Sequence, residues 1–599
     1  MLNRSPVCRL AATALLALAA TGATAAPTPG PTGLSFYDPV ASASGNHGEL
    51  VWYRSATTEL GPDAPAVTAW NVVYRSNDAL DNANLVTGTV MVPSAPWSGG
   101  GERPVINYAV GTHGLAQRCA PSLQIANGSD YEAANLAAAL SAGYAVLVSD
   151  NPGYTTGDTP TYLAGKAQGQ AVLDLFTAAT QIPDAGISAA APSAIWGYSQ
   201  GGQTAAFAGE LLSSYAPDMN VVAVAAGGTP ADFIDTAYYL NGSTGASFLL
   251  QAVVGLAEQY PGGIPLDELA NEDGKREIAN VTADQCVFDT LFPYMNKDIA
   301  EYTQDNQGLP ELLAIDSVNN TLRAQQLGTR KMPVPMYMYH GQADEFIPLA
   351  QHTALKRDYC RRYSNVTFDV YPSEHIVTQF QAAPYVLQWL GDRFAGKGTW
   401  GTCLTFNPKP TSTANPGGGN FVVSLDEWPL DARIDLATLD QTVTLPEDSS
   451  FTADTDMTAG TLDGTLEVPD FSTKLNILVN LDVGLSVVPV GRTSGTVSLD
   501  NQGQLAIDGL AQADITVRNA GFSFLRIPFG CRTSSPVDFP VNFSGPVSSL
   551  GNGKLTFAGT TTFPSLTDCG LFNSLFTTLM SGPGQEYSFT VAPPAPRRW

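Results

Sequence analysis

The feature that most constrains this chain is a serine flanked by glycines, placed between a strand-like and a helix-like segment. The run Gly197-Tyr198-Ser199-Gln200-Gly201 fits the pattern G-x-S-x-G, with apolar residues 193–196 before it and a helix-like stretch at 204–212 after it. So tight a turn leaves no room for side chains two residues either side of the serine, and it lifts the hydroxyl above a sheet at a helix N-terminus. The segment therefore predicts a nucleophilic serine, Ser199.

Other short apolar runs alternate with helix-like stretches over the first two thirds of the chain. The runs are 105–110, 144–149, 221–226 and 334–339, and a further strand is predicted at 366–371. The helix-like stretches include 131–142 and 167–180. Such alternation is typical of a mostly parallel sheet with helices on both faces.

One long segment, residues 227–330, interrupts this alternation and has a mainly helical pattern. We expect it to form a cap over the carboxyl ends of the strands, where open α/β sheets bind ligands. Ordinary peripheral helices are the alternative, because hydrophobic periodicity alone cannot place the segment.

A serine nucleophile needs a base, and in this arrangement the acid and then the histidine follow it along the chain. Only three of the five histidines lie after Ser199. His340 ends a predicted strand, ahead of every plausible acid beside it, and His352 lies in a helical stretch. His375 lies in the loop after the run 366–371, from which a base can reach the serine. It is the predicted base.

The predicted acid is Asp344, which comes just after the run 334–339 and before His375. Its neighbour Glu345 is the chief rival, and a structural turn or helix N-cap is the alternative role for Asp344. The chain order of Ser199, Asp344 and His375 is that of an α/β hydrolase. It predicts an enzyme that cleaves carboxylic esters.

The oxyanion of such a reaction needs two aligned N–H donors. The backbone of Gln200, the residue after the nucleophile, is the first predicted donor, and the loop Gly111-Thr112-His113-Gly114 should supply the second. The position of His113 in this loop favours a structural or substrate-contacting role over that of a base.

The remainder of the chain has a different pattern. Residues 407–420 contain three prolines and three consecutive glycines, which predicts a flexible linker between residues 26–406 and 421–599. Short β-rich runs separated by Gly, Asn and Asp then predict an antiparallel all-β domain of unknown role, as a sandwich or barrel. Contact with lipid or another surface is one hypothesis for this domain, and a spacer or folding role is the alternative.

The N-terminus has the pattern of a secretion signal. Arg4 and Arg9 precede the apolar run 10–20, and Ala23-Thr24-Ala25 supplies a small-x-small cleavage site. We expect residues 1–25 to be removed and the protein to be secreted. The apolar run falls short of the ~20 residues that span a bilayer, so no transmembrane anchor is expected.

Charge and cysteine content fit an exported protein. The formal net charge is −26 at pH 7, which argues against nucleic-acid partners. An even number of cysteines after the signal peptide predicts three disulfides, with fifteen possible pairings, and the wide spacings give no zinc-site pattern. These cysteines are Cys119, Cys286, Cys360, Cys403, Cys531 and Cys569.

Four of these segments together resemble the secretory lipase family: residues 111–122, which end in CAPS, the elbow GYSQGG, and the runs HGQADEFIP and YPSEH. The resemblance covers about residues 38–406. It implies an α/β-hydrolase core with a helical cap, acting without metal or cofactor on acylglycerols or similar small esters. It also maps the nucleophile to Ser199, the acid to Asp344 and the base to His375.

The same resemblance implies two further details. Gly114 would be the second oxyanion donor. The disulfides would join Cys119 to Cys286 and Cys360 to Cys403, leaving Cys531 to pair with Cys569.

The resemblance does not extend to the β domain, and it does not fix the acyl-chain preference. Two alternatives to ester hydrolysis stay open. One is acyl transfer with the same triad, and the other is a surface-binding protein whose hydrolase part has decayed.

Overall fold

A computed structural model of the protein describes residues 27–39, 41–155, 157–405, 407–476, 479–522, 524–550 and 553–599. The expected signal peptide, residues 1–25, lies outside these ranges. Within them, no helix has both the length and the apolar character needed to cross a membrane.

The first part of the chain folds around an eleven-stranded sheet in which β5 to β10 are parallel neighbours. Nearly every residue of these six strands is buried, because helices cover both faces of the sheet. Its first ten strands are β1 (Thr28–Pro29), β2 (Leu50–Ser55), β3 (Val67–Asn77), β4 (Ala83–Pro93), β5 (Val105–Ala109), β6 (Ala145–Ser149), β7 (Ser193–Tyr198), β8 (Val221–Gly227), β9 (Met336–Gly341) and β10 (Val366–Tyr371), and the eleventh comes from the C-terminal end of the chain.

The predicted parallel strands and their helices are confirmed to within a few residues. The antiparallel strands β2 to β4, which extend the sheet beyond β6, were not predicted from the sequence. The core helices before the cap are α1 (Pro121–Asn127), α2 (Ala133–Ser141), α3 (Gly165–Ala179) and α4 (Gln200–Tyr215).

The segment between β8 and β9 is helical, as predicted, and its apolar residues form one cluster with Phe346 and Ile347 of the loop after β9. The cap helices are α5 (Phe233–Leu240), α6 (Ala246–Gln259), α7 (Leu266–Leu269), α8 (Glu272–Asp284), α9 (Val287–Leu291), α10 (Leu309–Leu313) and α11 (Asp316–Arg323). The chain then completes the core with α12 (Leu349–Arg361) before β10 and α13 (His375–Phe394) after it.

The second part of the chain is an antiparallel sheet of thirteen strands, which confirms the predicted all-β domain. Buried and exposed residues alternate along most of its strands because one face packs inward. The elements are β11 (Val422–Leu436), β12 (Gln441–Thr444), β13 (Ser450–Asp456), β14 (Thr461–Glu467), β15 (Phe471–Asn476), β16 (Asn480–Pro489), β17 (Thr493–Leu499), β18 (Gln504–Phe522), β19 (Leu525–Thr533), β20 (Val537–Pro546), β21 (Leu555–Phe563), β22 (Leu566–Thr567), α14 (Asn573–Met580) and β23 (Gly582–Val591).

The boundary predicted for the β domain needs a correction at its C-terminal end. After β23 the chain returns to the first sheet, where β24 (Arg597–Arg598) pairs antiparallel with β10. The Arg598 guanidinium donates to both carboxylate oxygens of Asp369 at 2.8 Å, and the Thr402 hydroxyl donates to the Trp599 carbonyl at 2.7 Å. The open edge of β10 accounts for this return, because it offers backbone groups that a further strand satisfies.

The predicted linker, residues 407–420, is held against the hydrolase part by backbone contacts. The Thr413 N–H donates to the Gln342 carbonyl at 2.9 Å, and the Thr244 N–H donates to the Pro416 carbonyl at 3.1 Å. The linker therefore runs from the loop after β9 along the cap to β11.

Three disulfides join the pairs that the resemblance implied. They are Cys119–Cys286, Cys360–Cys403 and Cys531–Cys569. The first ties the loop after β5 to the start of cap helix α9, so it fixes the cap next to the predicted oxyanion loop.

Candidate active site

Ser199 occupies the sharp turn between β7 and α4. Its φ of 58° and ψ of −122° are rare for a residue with a side chain, and such strain is typical of functional sites. The Ser199 N–H donates to the Gly227 carbonyl at 2.9 Å, which anchors the turn to the neighbouring strand. Ser199 is partly exposed while the residues on either side are buried.

The glycines around Ser199 are required by close backbone contacts. A Cβ on Gly197 would lie 2.1 Å from the Gly201 carbonyl oxygen, and one on Gly201 would lie 2.0 Å from the Ala109 oxygen. Both distances are far below van der Waals contact, so no side chain fits at either position. These contacts explain why the motif has glycine two residues either side of the serine.

Asp344 and His375 form the acid–histidine pair that the sequence predicted. Asp344 Oδ2 and His375 Nδ1 are 2.7 Å apart, and the Asp344 side chain is fully buried. Asp344 Oδ1 accepts the N–H groups of Phe346 and Ile347 at 3.0 and 2.7 Å, so this residue also shapes the turn after β9. Burial would raise the pKa of Asp344, but the nearby histidines and these hydrogen bonds outweigh burial and lower it.

His375 is the first residue of α13, not a loop residue as the sequence analysis expected. Its ring lies against Tyr198, the residue before Ser199, with centroids 4.9 Å apart. The Tyr198 hydroxyl donates to the His375 carbonyl at 2.8 Å, which fixes the start of α13 beside the serine turn. Among the described residues, no hydrogen bond joins the Ser199 hydroxyl to His375.

The other histidines occupy different environments. His340 and His352 are buried with their Nδ1 atoms 2.6 Å apart, and burial lowers the pKa of both rings. His340 Nε2 lies 3.4 Å from Asp344 Oδ2, behind the acid. His113 lies 3.2 Å from Asp130, and although burial opposes its charge, the surrounding carboxylates raise its pKa to about 9. His113 therefore belongs to a buried ion pair of the loop after β5.

Two buried glutamates flank the pair. The rival acid Glu345 accepts the backbone N–H of His375 at 3.2 Å instead of contacting the imidazole. Glu374, which the sequence analysis passed over, caps α13 by accepting the N–H groups of Ile376 and Val377. Burial raises the pKa of Glu345 well above its usual value and that of Glu374 to about 7. An acidic residue directly before the first residue of a helix is typical of an N-cap. This pattern could have revealed the role of Glu374.

The predicted oxyanion donors have different surroundings. Gln200 is the first residue of α4, where a backbone N–H has no partner within the helix. The N–H of Gly111 is already used, because it donates to the buried Glu132 at 2.8 Å. Gly114 packs on the disulfide: a Cβ there would lie 2.6 Å from Cys286 Cα. Gly114 as a donor therefore remains a prediction.

Aromatic rings from three parts of the chain pack together on one side of the histidine. Phe346 of the acid loop contacts His375 with centroids 5.3 Å apart. On its other sides it contacts Phe248 of the cap at 4.9 Å and Phe421 of the β domain at 5.8 Å. The cap and the β domain thus share one apolar cluster beside the acid–histidine pair.

Known proteins that resemble this chain are lipases by name. The family described as secretory lipase matches residues 122–402. A Mycobacterium tuberculosis protein named probable inactive lipase is 31% identical over 378 residues, which span 59% of this chain and 82% of that protein. The chain belongs to the secretory lipase family. Membership supports a carboxylic ester hydrolase of the lipase type.

Other secretory lipases and their structures extend the comparison. Lipase A of Moesziomyces aphidis is 26% identical over 392 residues, 63% of this chain and 83% of that protein. The X-ray structure of Candida antarctica lipase A has 24% identity and a TM-score of 0.54, covering 62% of this chain and 89% of its own. This likeness shows the α/β-hydrolase fold. The family match ends at residue 402, before the β domain.

Proposed function

We propose that this secretory lipase is a secreted enzyme that hydrolyses acylglycerols or similar carboxylic esters through an acyl-enzyme. Ser199 is the nucleophile, His375 is the base and Asp344 orients the base. The observation that carries the proposal is the 2.7 Å contact between Asp344 Oδ2 and His375 Nδ1. The His375 ring lies against Tyr198, the residue before Ser199 in the strained turn. The three disulfides support an oxidising, extracellular location.

The chemistry follows from the two nitrogens of the imidazole. Asp344 accepts a hydrogen bond from Nδ1–H, which holds the ring in the tautomer whose Nε2 is unprotonated. Nε2 can then take the Ser199 hydroxyl proton as the oxygen attacks the ester carbonyl. The protonated ring then gives that proton to the departing alcohol. Water attacks the acyl-enzyme by the same route in reverse, with His375 again as base. We expect the Ser199 hydroxyl to hydrogen-bond to the ring once substrate is bound, since catalytic contacts often tighten only then.

The negative oxygen of the tetrahedral intermediate needs N–H donors that are already in place. The Gln200 N–H at the start of α4 is one, and its position adds the positive end of a helix dipole. The loop after β5 supplies the second donor, and its described N–H groups at Thr112, His113 and Gly114 have no protein acceptor in the described chain. We assign the second donor to this loop, with Gly114 as the predicted residue.

One relative favours a different function. The Mycobacterium tuberculosis protein is named probable inactive lipase, which raises the hypothesis of a decayed hydrolase that only binds. This chain retains the nucleophile, the buried acid–histidine contact, and glycines that tolerate no Cβ. Loss of function would release these constraints, so their presence together supports catalysis.

Replacement of Ser199 by Ala tests the proposal against that alternative. With p-nitrophenyl butyrate as substrate, we expect kcat to fall at least about 10³-fold while the unfolding midpoint stays close to that of the wild type. Equal turnover by both proteins would refute the assignment of Ser199. No turnover by either one, with esters of several chain lengths, would favour the decayed hydrolase.

A further inference from the structure

One end of the β domain exposes apolar side chains to solvent. Two hairpins end there: β15 and β16 form the first, and β18 and β19 form the second. The exposed side chains, which we call the apolar tip, are Val479 (51% exposed), Phe522 (47%), Phe524 (87%), Leu525 (61%) and Ile527 (55%). Scattered exposed apolar residues are ordinary in soluble proteins, but a contiguous group of them marks an interaction surface.

The strand register places the two hairpin ends side by side. Asp482 of β16 pairs with Gly521 of β18, so the Asn480 end of β16 adjoins the Phe522 end of β18. Across the second hairpin, Phe522 pairs with Leu525. The rings of Phe522 and Phe524 are stacked, with centroids 5.8 Å apart and planes within 8°. The described side chains of the apolar tip therefore lie on adjacent hairpin ends and form one surface.

The apolar tip continues the inner face of the β domain. Ala520 pairs with Val483 on one side and with Ile527 on the other, and cross-strand partners share a face. Ala520 and Val483 belong to the buried core cluster, whereas Ile527 is more than half exposed. The apolar face of the sheet is thus exposed to solvent at this end, where no other described element covers it.

The charges around the apolar tip differ from those of the rest of the molecule. Arg518 forms an ion pair with Asp470, and Arg526 lies 3.4 Å from Asp482, so both acids near the tip have a cationic partner. Lys474 of the first hairpin makes no ion pair among the described residues. These are three of the nine Lys and Arg residues after residue 420, in a chain with a net charge of −26. The tip therefore carries no excess of acid.

We propose that the apolar tip inserts into the surface of a lipid assembly with neutral or zwitterionic headgroups and holds the protein there. Aromatic and aliphatic side chains beside cationic ones match the boundary between headgroups and acyl chains. The tip lies at hairpin ends, which suits entry into a fluid surface. A second copy of this chain would bring an equal net negative charge, which opposes pairing. The proposal is independent of the assigned nucleophile.

The test measures binding of the full chain to phosphatidylcholine vesicles by co-sedimentation, with Ser199→Ala in every protein so that the lipid stays intact. The double variant Phe524→Ser/Leu525→Ser removes two side chains of the tip. The matched control, Tyr363→Ser/Leu404→Ser, removes two side chains of the hydrolase part that are 90% and 86% exposed. We expect the tip variant to lose at least about tenfold in partition coefficient and the control to lose less than twofold.

Three results would overturn the proposal. They are absence of vesicle binding by the parent protein, an equal loss in the control variant, and light scattering that shows a parent dimer converted to a monomer by the tip substitutions. Circular dichroism melting of all three proteins establishes that each is folded.

Discussion

The two sheets of this protein bury their residues in different ways. All six residues of β7 are buried, because helices cover both faces of the parallel sheet. In β18 buried and exposed residues mostly alternate, because only one face packs inward. A parallel sheet brings the carboxyl ends of its strands to one edge, so Ser199, Asp344 and His375, the proposed triad, all follow strands that end at that edge. An antiparallel sheet has no such common edge, and the β domain contributes no member of the proposed triad.

The two regions nevertheless meet at the site. Phe421, at the start of the β domain, belongs to the apolar cluster that includes Phe346, the ring beside His375. At the other end of the domain, Arg598 pairs with Asp369 in the hydrolase sheet. The β domain is thus joined to the hydrolase part at both of its ends, and we expect it to influence both stability and catalysis.

The largest expected effect is the fall in kcat when the proposed base is removed. His375→Ala should lower kcat for p-nitrophenyl butyrate at least about 10³-fold, because the base is lost. His47→Ala is the matched control, since His47 also contacts an aspartate, Asp174, at 2.6 Å, but outside the site. Similar losses in both variants would show that the acid–histidine contact at Asp344 has no special role.

The next effect tests the contact between the two regions. Phe421→Ala should lower the free energy of unfolding by about 3 kcal/mol, since a ring that is 2% exposed is removed from a packed cluster. Because Phe421 packs on Phe346, the ring beside His375, kcat/KM should also fall by roughly tenfold. Denaturant unfolding and ester kinetics measure the two quantities. An unchanged kcat/KM would mean that the β domain does not influence catalysis through this contact.

A smaller effect concerns pH. Burial raises the folded-state pKa of Glu374 to about 7, above the roughly 4.3 of an unfolded glutamate. The folded state therefore binds the extra proton between these values, so stability should fall as pH rises from about 4.5 to 7. Glu374→Gln should remove about 2 kcal/mol of that fall, as measured by urea unfolding at both ends of the range. The same pH dependence in both proteins would contradict this account.

The smallest effect tests the C-terminal connection. Arg598→Ala should destabilise the protein by about 1 kcal/mol, because the arginine is half exposed although Asp369 is buried. Arg597→Ala, which removes a neighbouring cation with no described ion pair, is the control. A thermal melt compares them, and equal shifts would show that the Asp369 contact adds nothing.

The sequence predicted the parallel core well, for a physical reason. Strands buried on both faces are mostly apolar, so runs such as 221–226 stand out, and β8 covers Val221–Gly227. The glycine pattern around Ser199 is equally visible. A Cβ on Gly201 would lie only 2.0 Å from the Ala109 oxygen, which excludes every other residue type at that position. Chain order then gave Asp344 and His375, which the structure brings together at 2.7 Å.

Other features could not be predicted, because they depend on packing between distant segments. The return of Arg597 and Arg598 to the first sheet involves two polar residues without a strand pattern. The linker has a composition typical of flexible chains. Backbone hydrogen bonds nevertheless hold it against the cap, and no sequence pattern reveals them. Burial of Glu132 and Glu374 beside the site is likewise set by tertiary contacts.

The central claim is that Ser199 is activated by a base held at the start of α13. Reaction with a fluorophosphonate, followed by mass spectrometry of peptides, tests it most directly. We predict a single adduct, on Ser199, with a labelling rate that falls by orders of magnitude in the His375→Ala protein. Labelling at another serine, or at an undiminished rate without His375, would contradict the claim.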